Sequence, residues 1–145
     1  CNELSLPLKI VGTGSELRKL EKMAGPTIEF LGILTEEALV KYYKSCKALL
    51  FPGLEDFGLT VVEAQSFGKP VVAFGGGGAL ETIQNQKTGV FFAPQNVTSL
   101  KKVLASFDKK TFIAKDCEEN AKQFSQENFT KEFMAQVTRI IQTHT

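Results

Sequence analysis

The chain has 145 residues, enough for one domain with a single sizeable core. Hydrophobic residues make up 43% and charged residues 23%, an ordinary globular composition. The formal net charge of +1 gives no reason to expect nucleic acid or an acidic membrane as a partner. No apolar run approaches the roughly 20 residues that span a bilayer, and no leader segment is visible. Three cysteines, Cys1, Cys46 and Cys117, have spacings that fit neither a zinc ribbon nor a CxxC redox site. Reduced thiols in a cytoplasmic protein are the expectation. The chain does not begin with Met and enters a strand almost at once, so it reads as a piece of a longer protein.

Short apolar runs alternate with amphipathic stretches. Leu8 to Val11 reads as a strand that ends in Gly12-Thr13-Gly14. Ser15 is expected to cap a helix to about Ala24, with Leu17, Leu20 and Ala24 on one face, and Gly25-Pro26 to stop it. Ile28 to Leu31 reads as a strand. Thr35 with Glu36 and Glu37 opens the next helix: the hydroxyl can cap, and the acids suit the positive end. Leu39, Tyr42, Tyr43 and Cys46 form its expected inner face. Ala48 to Phe51 is a strand closed by Pro52-Gly53, and a helix follows from about Leu59 to Phe67, ended by Gly68-Lys69-Pro70.

Val71 to Phe74 is continuously apolar, as a parallel strand buried on both faces should be. The run Gly75 to Gly78, a short helix from Ala79, a turn at residues 85–88 and a strand from Gly89 to Ala93 follow. The remainder reads as amphipathic helices: one carrying Val97, Leu100, Leu104 and Phe107, one over about Thr111 to Phe124, and one carrying Phe129, Phe133, Val137, Ile140 and Ile141. The alternation predicts an α/β fold, a Rossmann-like parallel sheet flanked by helices.

In such a sheet ligands bind beyond the carboxyl ends of the strands. Those ends carry Gly12-Thr13-Gly14, Leu31-Gly32, the loop from Pro52 to Gly58, and the glycine run. Glycines let backbone approach a ligand, and each loop leads towards a helix N-terminus that suits phosphate. Gly12 and Gly14 are therefore cleft candidates, although a GxG without its third glycine is commonly a tight turn. Glu55 lies in its loop and Glu63 about one turn into the next helix. A diphosphate resting on the N–H groups near Leu59, Thr60 and Val61 would leave Glu63 to accept from ribose hydroxyls and Glu55 to face a sugar. Thr60-Val61-Val62-Glu63 also fits a capping box, in which Glu63 only reaches back to the Thr60 N–H. Glu81 is either a complement to its helix dipole or a further carboxylate facing the cleft. His144, the single histidine, sits at the chain end and is not expected to catalyse. No nucleophile triad, metal cluster or basic–aromatic patch stands out.

The stretch Phe51-Pro52-Gly53-Leu54-Glu55-Asp56-Phe57-Gly58-Leu59-Thr60-Val61-Val62-Glu63-Ala64 closely resembles the signature of family 4 retaining glycosyltransferases. Gly68-Lys69-Pro70-Val71-Val72-Ala73 and Gly77-Gly78-Ala79-Leu80-Glu81 extend the resemblance, which runs from about Lys9 to Pro94 and more loosely beyond. It implies the C-terminal, donor-binding half of a GT-B fold, with no metal or cofactor. By the resemblance Glu55 and Glu63 form the E-x7-E pair, Glu55 on the donor sugar and Glu63 on the ribose. Phe57, Gly58 and Leu59 offer backbone to sugar and diphosphate, with Thr60 and Val61 at the helix start. Leu31 to Ile33, through Leu31 and Ile33, line the base pocket.

Glu55-Asp56-Phe57-Gly58 with Glu63-Ala64-Gln65 and Gly76-Gly77-Gly78 is especially similar to bacterial mannosyltransferases of polysaccharide assembly, which makes GDP-mannose the first choice of donor and a UDP-sugar the second. The family's first strand–helix unit, which carries an Arg and a Lys for the diphosphate, has no counterpart before Lys9, and neither has the N-terminal acceptor domain. The chain alone is therefore expected to bind donor weakly and not to turn over. The complete protein is expected to be cytoplasmic and peripheral to the inner membrane. Two other readings stay open: a GT-B sugar-nucleotide epimerase, against which the E-x7-E spacing argues, and a non-catalytic nucleotide-binding module.

Overall fold

The computed structural model describes residues 1–107 and 112–143. In chain order the elements are β1 (Leu8–Val11), α1 (Leu17–Met23), β2 (Ile28–Gly32), α2 (Glu36–Ser45), β3 (Leu49–Phe51), α3 (Leu59–Ser66), β4 (Val71–Phe74), α4 (Ala79–Thr82), β5 (Gly89–Phe92), α5 (Val97–Phe107), α6 (Ala114–Lys122) and α7 (Gln126–Thr143). A short 3-10 turn, Asn2–Leu4, precedes them. All strand pairs are parallel, as the alternation requires. They fall into two hydrogen-bonded sets, β1-β2 and β3-β4-β5.

The core belongs to the three-stranded set. β4 is its middle strand, and Val71, Val72 and Ala73 are fully buried because helices cover both faces. Val71 and Ala73 point towards α2, α3 and α4, where Tyr43, Phe51, Val61, Ala64, Ala79 and Ile83 complete one cluster. Val72 points the other way, to Val90 and Phe92 and to the α5 residues Leu100, Val103, Leu104 and Phe107. The period of two along the strand thus splits one apolar run between two clusters.

The β1-β2 set buries no residue completely. Its register aligns Lys9 with Glu29, which form an exposed ion pair. Ser15 does not cap α1. The Leu17 N–H bonds the Gly14 carbonyl at 3.1 Å, so a turn intervenes and Glu16, already at φ −85° and ψ −5°, becomes the cap without a side-chain bond. At the other end, Asn2 takes the Gly25 N–H and donates to the Met23 carbonyl, each at 2.7 Å. Thr35 caps α2 as its position predicts, accepting from the Ala38 N–H at 3.3 Å. Tyr43 is the buried residue of the expected α2 face; Tyr42 is half-buried. α6 begins at Ala114. Thr111, the predicted start, and His144 lie outside the described residues. The apolar positions Phe129, Phe133, Ile140 and Ile141 of α7 are exposed rather than packed on this domain.

Candidate functional site

The loop between β3 and α3 forms a shallow depression lined by residues 54–60. β3 delivers the chain to it, and Gly58 turns the chain into α3. Gly58 stands at φ 78°, in the left-handed region, and a Cβ there would come within 2.9 Å of the Phe51 ring. Only glycine meets both conditions without displacing the core.

Being Gly58, the helix cap offers no side chain, so the first N–H groups of α3 gain nothing from capping. The Val61 N–H bonds the Gly58 carbonyl at 2.9 Å. Among the described residues no hydrogen bond uses the N–H groups of Gly58, Leu59 or Thr60. These groups lie at the positive end of the helix and suit an anion. Val61 differs from these three in that its N–H is bonded and its side chain is wholly buried.

The capping box is excluded. Thr60 lies inside the helix rather than at its cap, and the Glu63 carboxylate accepts instead from the Tyr43 hydroxyl at 2.9 Å. Burial, and then the bond to Glu63, push the Tyr43 pKa upward, so the hydroxyl keeps its proton and remains a donor at neutral pH. Glu55 and Glu63 are both exposed. Among the described residues the Glu55 carboxylate has no hydrogen bond or ion pair.

The glycine run packs against the Glu55 loop. Gly78 donates its N–H to the Glu55 carbonyl at 2.8 Å. A Cβ on Gly78 would lie 2.4 Å from the Asp56 carbonyl oxygen and 2.5 Å from the Phe57 Cα. A Cβ on Gly77, itself at φ 57°, would lie 2.4 Å from the Glu55 carbonyl oxygen. These glycines approach the neighbouring loop closely, and so fix the backbone that carries Glu55. Two more restraints act on the loop. Phe57 meets Phe124 edge to face at 5.7 Å, and Gln95 donates to the Pro52 carbonyl at 2.7 Å.

A buried polar network holds α3, α4 and α6 together behind the loop. Gln65 is wholly buried; it donates to the Thr82 carbonyl at 2.8 Å and accepts from Asn120 at 2.6 Å. Asn120 also donates to Thr82 at 2.9 Å and accepts from Gln84 at 2.7 Å. Sequence reasoning missed both Asn120 and the Tyr43 hydroxyl. Neither carries a local signal beyond a polar group on an inward helix face.

The remaining candidates lie on other elements. Gly12 and Gly14 have open space where a Cβ would be, and the Gly12 N–H bonds the Gly32 carbonyl at 2.7 Å. Leu31 is half-buried and Ile33 is 82% exposed. None of these four has a hydrogen bond to residues 52–63. Glu81 is exposed on α4, and its N–H bonds the Gly78 carbonyl at 3.1 Å. Among the described residues no three His, Cys, Asp or Glu side chains gather where they could hold a metal ion.

The family model for "Glycosyl transferases group 1" matches residues 2–124. The chain belongs to this family of glycosyltransferases. An uncharacterised glycosyltransferase of Methanocaldococcus jannaschii is 30% identical over 111 residues, covering 72% of this chain and 28% of the relative. The human alpha-1,3/1,6-mannosyltransferase ALG2 is 28% identical over 133 residues, covering 87% of the chain and 32% of ALG2. The chain thus spans about a third of the length of such relatives. Among solved structures, the sucrose-phosphate synthase of Thermosynechococcus elongatus superimposes with a TM-score of 0.74 at 25% identity, over 94% of this chain and 39% of the synthase. The parallel α/β architecture is therefore that of group 1 glycosyltransferases.

Proposed function

We propose that this chain is the donor-binding half of a retaining glycosyltransferase. It would move a hexose, mannose first, from a nucleoside-diphosphate sugar to a glycan or lipid-linked acceptor. The observation that carries the proposal is the arrangement at the head of α3. Among the described residues, N–H groups at Gly58, Leu59 and Thr60 that make no hydrogen bond lie in the chain between Glu55, whose carboxylate has no partner there, and Glu63, whose carboxylate a buried tyrosine holds. The diphosphate rests on those N–H groups, Glu63 accepts from the ribose hydroxyls and Glu55 from the hydroxyls of the sugar. Leu31 and Ile33 are assigned to the base. As the bond to the sugar breaks, charge grows on the leaving diphosphate, where fixed N–H dipoles stabilise it without reorganising.

GDP-mannose is the first donor proposed and a UDP-sugar the second. The similarity of Glu55-Asp56-Phe57-Gly58, Glu63-Ala64-Gln65 and Gly76-Gly77-Gly78 to bacterial mannosyltransferases and the human ALG2 relative both support mannose. Residues 1–145 hold the donor weakly and do not turn over by themselves. Diphosphate-binding cations on a further strand–helix unit, and an acceptor domain, come from elsewhere in a protein that works at the cytoplasmic side of a membrane. The division of strands into β1-β2 and β3-β4-β5 supports the further strand.

The test is product analysis with the complete protein, offered GDP-mannose or UDP-glucose with a lipid extract as acceptor. Transfer of intact sugar with retained configuration, lost in Glu55→Gln, is the expected result. Interconversion of the free nucleotide sugars would replace this reading with an epimerase, and nucleotide binding without any product would leave a binding module.

A further inference from the structure

We infer that Tyr43 is a positioning residue: its hydroxyl orients the Glu63 carboxylate and thereby sets the preference of the site for a ribonucleotide over one without ribose hydroxyls. The inference rests on the assignment of Glu63 to ribose given above.

Tyr43 lies on α2 and Glu63 on α3, 20 residues apart in the chain. The tyrosine ring belongs to the core. It is 9% exposed, sits among Phe51, Val61 and Ala64, and stacks on Phe67 with ring centroids 5.4 Å apart and planes 12° from parallel. A phenylalanine would fill that space equally well, as Phe51 and Phe67 do on neighbouring elements. The hydroxyl therefore needs a reason of its own. Among the described residues its hydrogen bond is to Glu63 Oε2, at 2.9 Å.

The Glu63 side chain is exposed, and an exposed glutamate samples several rotamers. One hydrogen bond from a donor fixed in the core removes much of that freedom before any ligand arrives, which is the general route to affinity through preorganisation. It does so without exhausting the carboxylate. An ionised carboxylate has about four lone-pair sites across its two oxygens. Tyr43 occupies one of them, leaving Oε1 and the rest of Oε2 for two vicinal hydroxyls. A neutral, uncharged donor is suited to the task. A lysine or arginine would draw the carboxylate into an ion pair and compete with the ligand more strongly.

The experiment measures binding of GDP and UDP, and of their 2′,3′-dideoxy counterparts, to the protein and to Tyr43→Phe, Glu63→Ala and the double variant. The paired ligands carry the same charge, so the ribo/dideoxy ratio isolates the hydroxyl contribution. The expected result is a ratio that falls about tenfold in Tyr43→Phe, the equivalent of one hydrogen bond to a charged group. Dideoxy binding is unchanged, and the double variant is no worse than Glu63→Ala. Thermal melting of each variant shows whether the ring packing survives, and Phe67→Leu, which loosens the ring and keeps the hydroxyl, separates packing from hydrogen bonding by lowering both ligands alike. A ratio that persists in Tyr43→Phe but vanishes in Glu63→Ala overturns the role of Tyr43 and leaves the ribose assignment standing. A ratio that persists in Glu63→Ala, or is absent in the unaltered protein, removes the ribose assignment and the inference with it. Equal loss of both ligands in Tyr43→Phe makes the tyrosine structural and also overturns the inference.

Discussion

The β1-β2 unit and the β3-β4-β5 unit share parallel strands and flanking helices but differ in how closely they are packed. In the first, no residue is fully buried, and Gly12 and Gly14 border open space. In the second, three consecutive residues of β4 are fully buried, and Gly77 and Gly78 are pressed against another backbone. The same residue type thus serves two purposes. Gly12 and Gly14 leave room; Gly77 and Gly78 are the room that another loop fills. The second unit holds the Glu55 loop and the head of α3 in place, whereas in the first Leu31 is half-buried and Ile33 exposed.

The sharpest way to break this comparison is to add one methyl group to each kind of glycine. Gly78→Ala places a Cβ 2.4 Å from the Asp56 carbonyl oxygen, where only backbone movement can relieve it. Urea denaturation is expected to show a loss of about 3 kcal/mol, at the upper end for overpacking. Gly14→Ala meets nothing within 4 Å and is expected to stay within about 0.5 kcal/mol of the parent. Equal effects would erase the distinction between the units.

Polar groups provide a second pair. Asn120→Ala leaves the buried Gln65 side-chain carbonyl without its donor, while the Thr82 carbonyl keeps its bond from Gln65, and is expected to cost about 2 kcal/mol by the same measurement. Lys9→Ala breaks the exposed Lys9–Glu29 pair of β1-β2, worth less than about 1 kcal/mol.

A smaller effect concerns pH. Burial, reinforced by Asp116 and Glu118, pushes the Cys117 thiol from its ordinary 9.0 up to about 11. Folding therefore favours the neutral thiol. That contribution is fully present below the pKa of the unfolded thiol and is lost as pH rises towards about 11. The stability of the parent is expected to fall over that window more steeply than that of Cys117→Ala. Parallel curves would show that Cys117 ionises as freely in the folded chain as in the unfolded one.

Much of the architecture was legible because it depends on local pattern. The Val71–Phe74 run announced a buried parallel strand, and Thr35 announced its helix by the chemistry of its hydroxyl. Ser15 carried the same cap signal and failed, because the Gly14 carbonyl closed a turn first. The loop from Pro52 to Gly58 was recognisable by its resemblance, but what holds it was not. The Gly78–Glu55, Phe57–Phe124 and Tyr43–Glu63 contacts join residues at least 20 apart, and no periodicity reports such pairs. For the same reason the choice between a capping box and a ribose carboxylate at Glu63 could be narrowed only when its partner on α2 was known.

The most direct test of the central claim, that the head of α3 is the diphosphate seat, is to follow backbone amide resonances while GDP is added. The largest shifts are expected on Gly58, Leu59 and Thr60, with a smaller one on Val61, whose N–H is already bonded, and inorganic sulfate is expected to reproduce part of the pattern. Shifts that leave residues 58–60 unmoved while GDP binds elsewhere would contradict it.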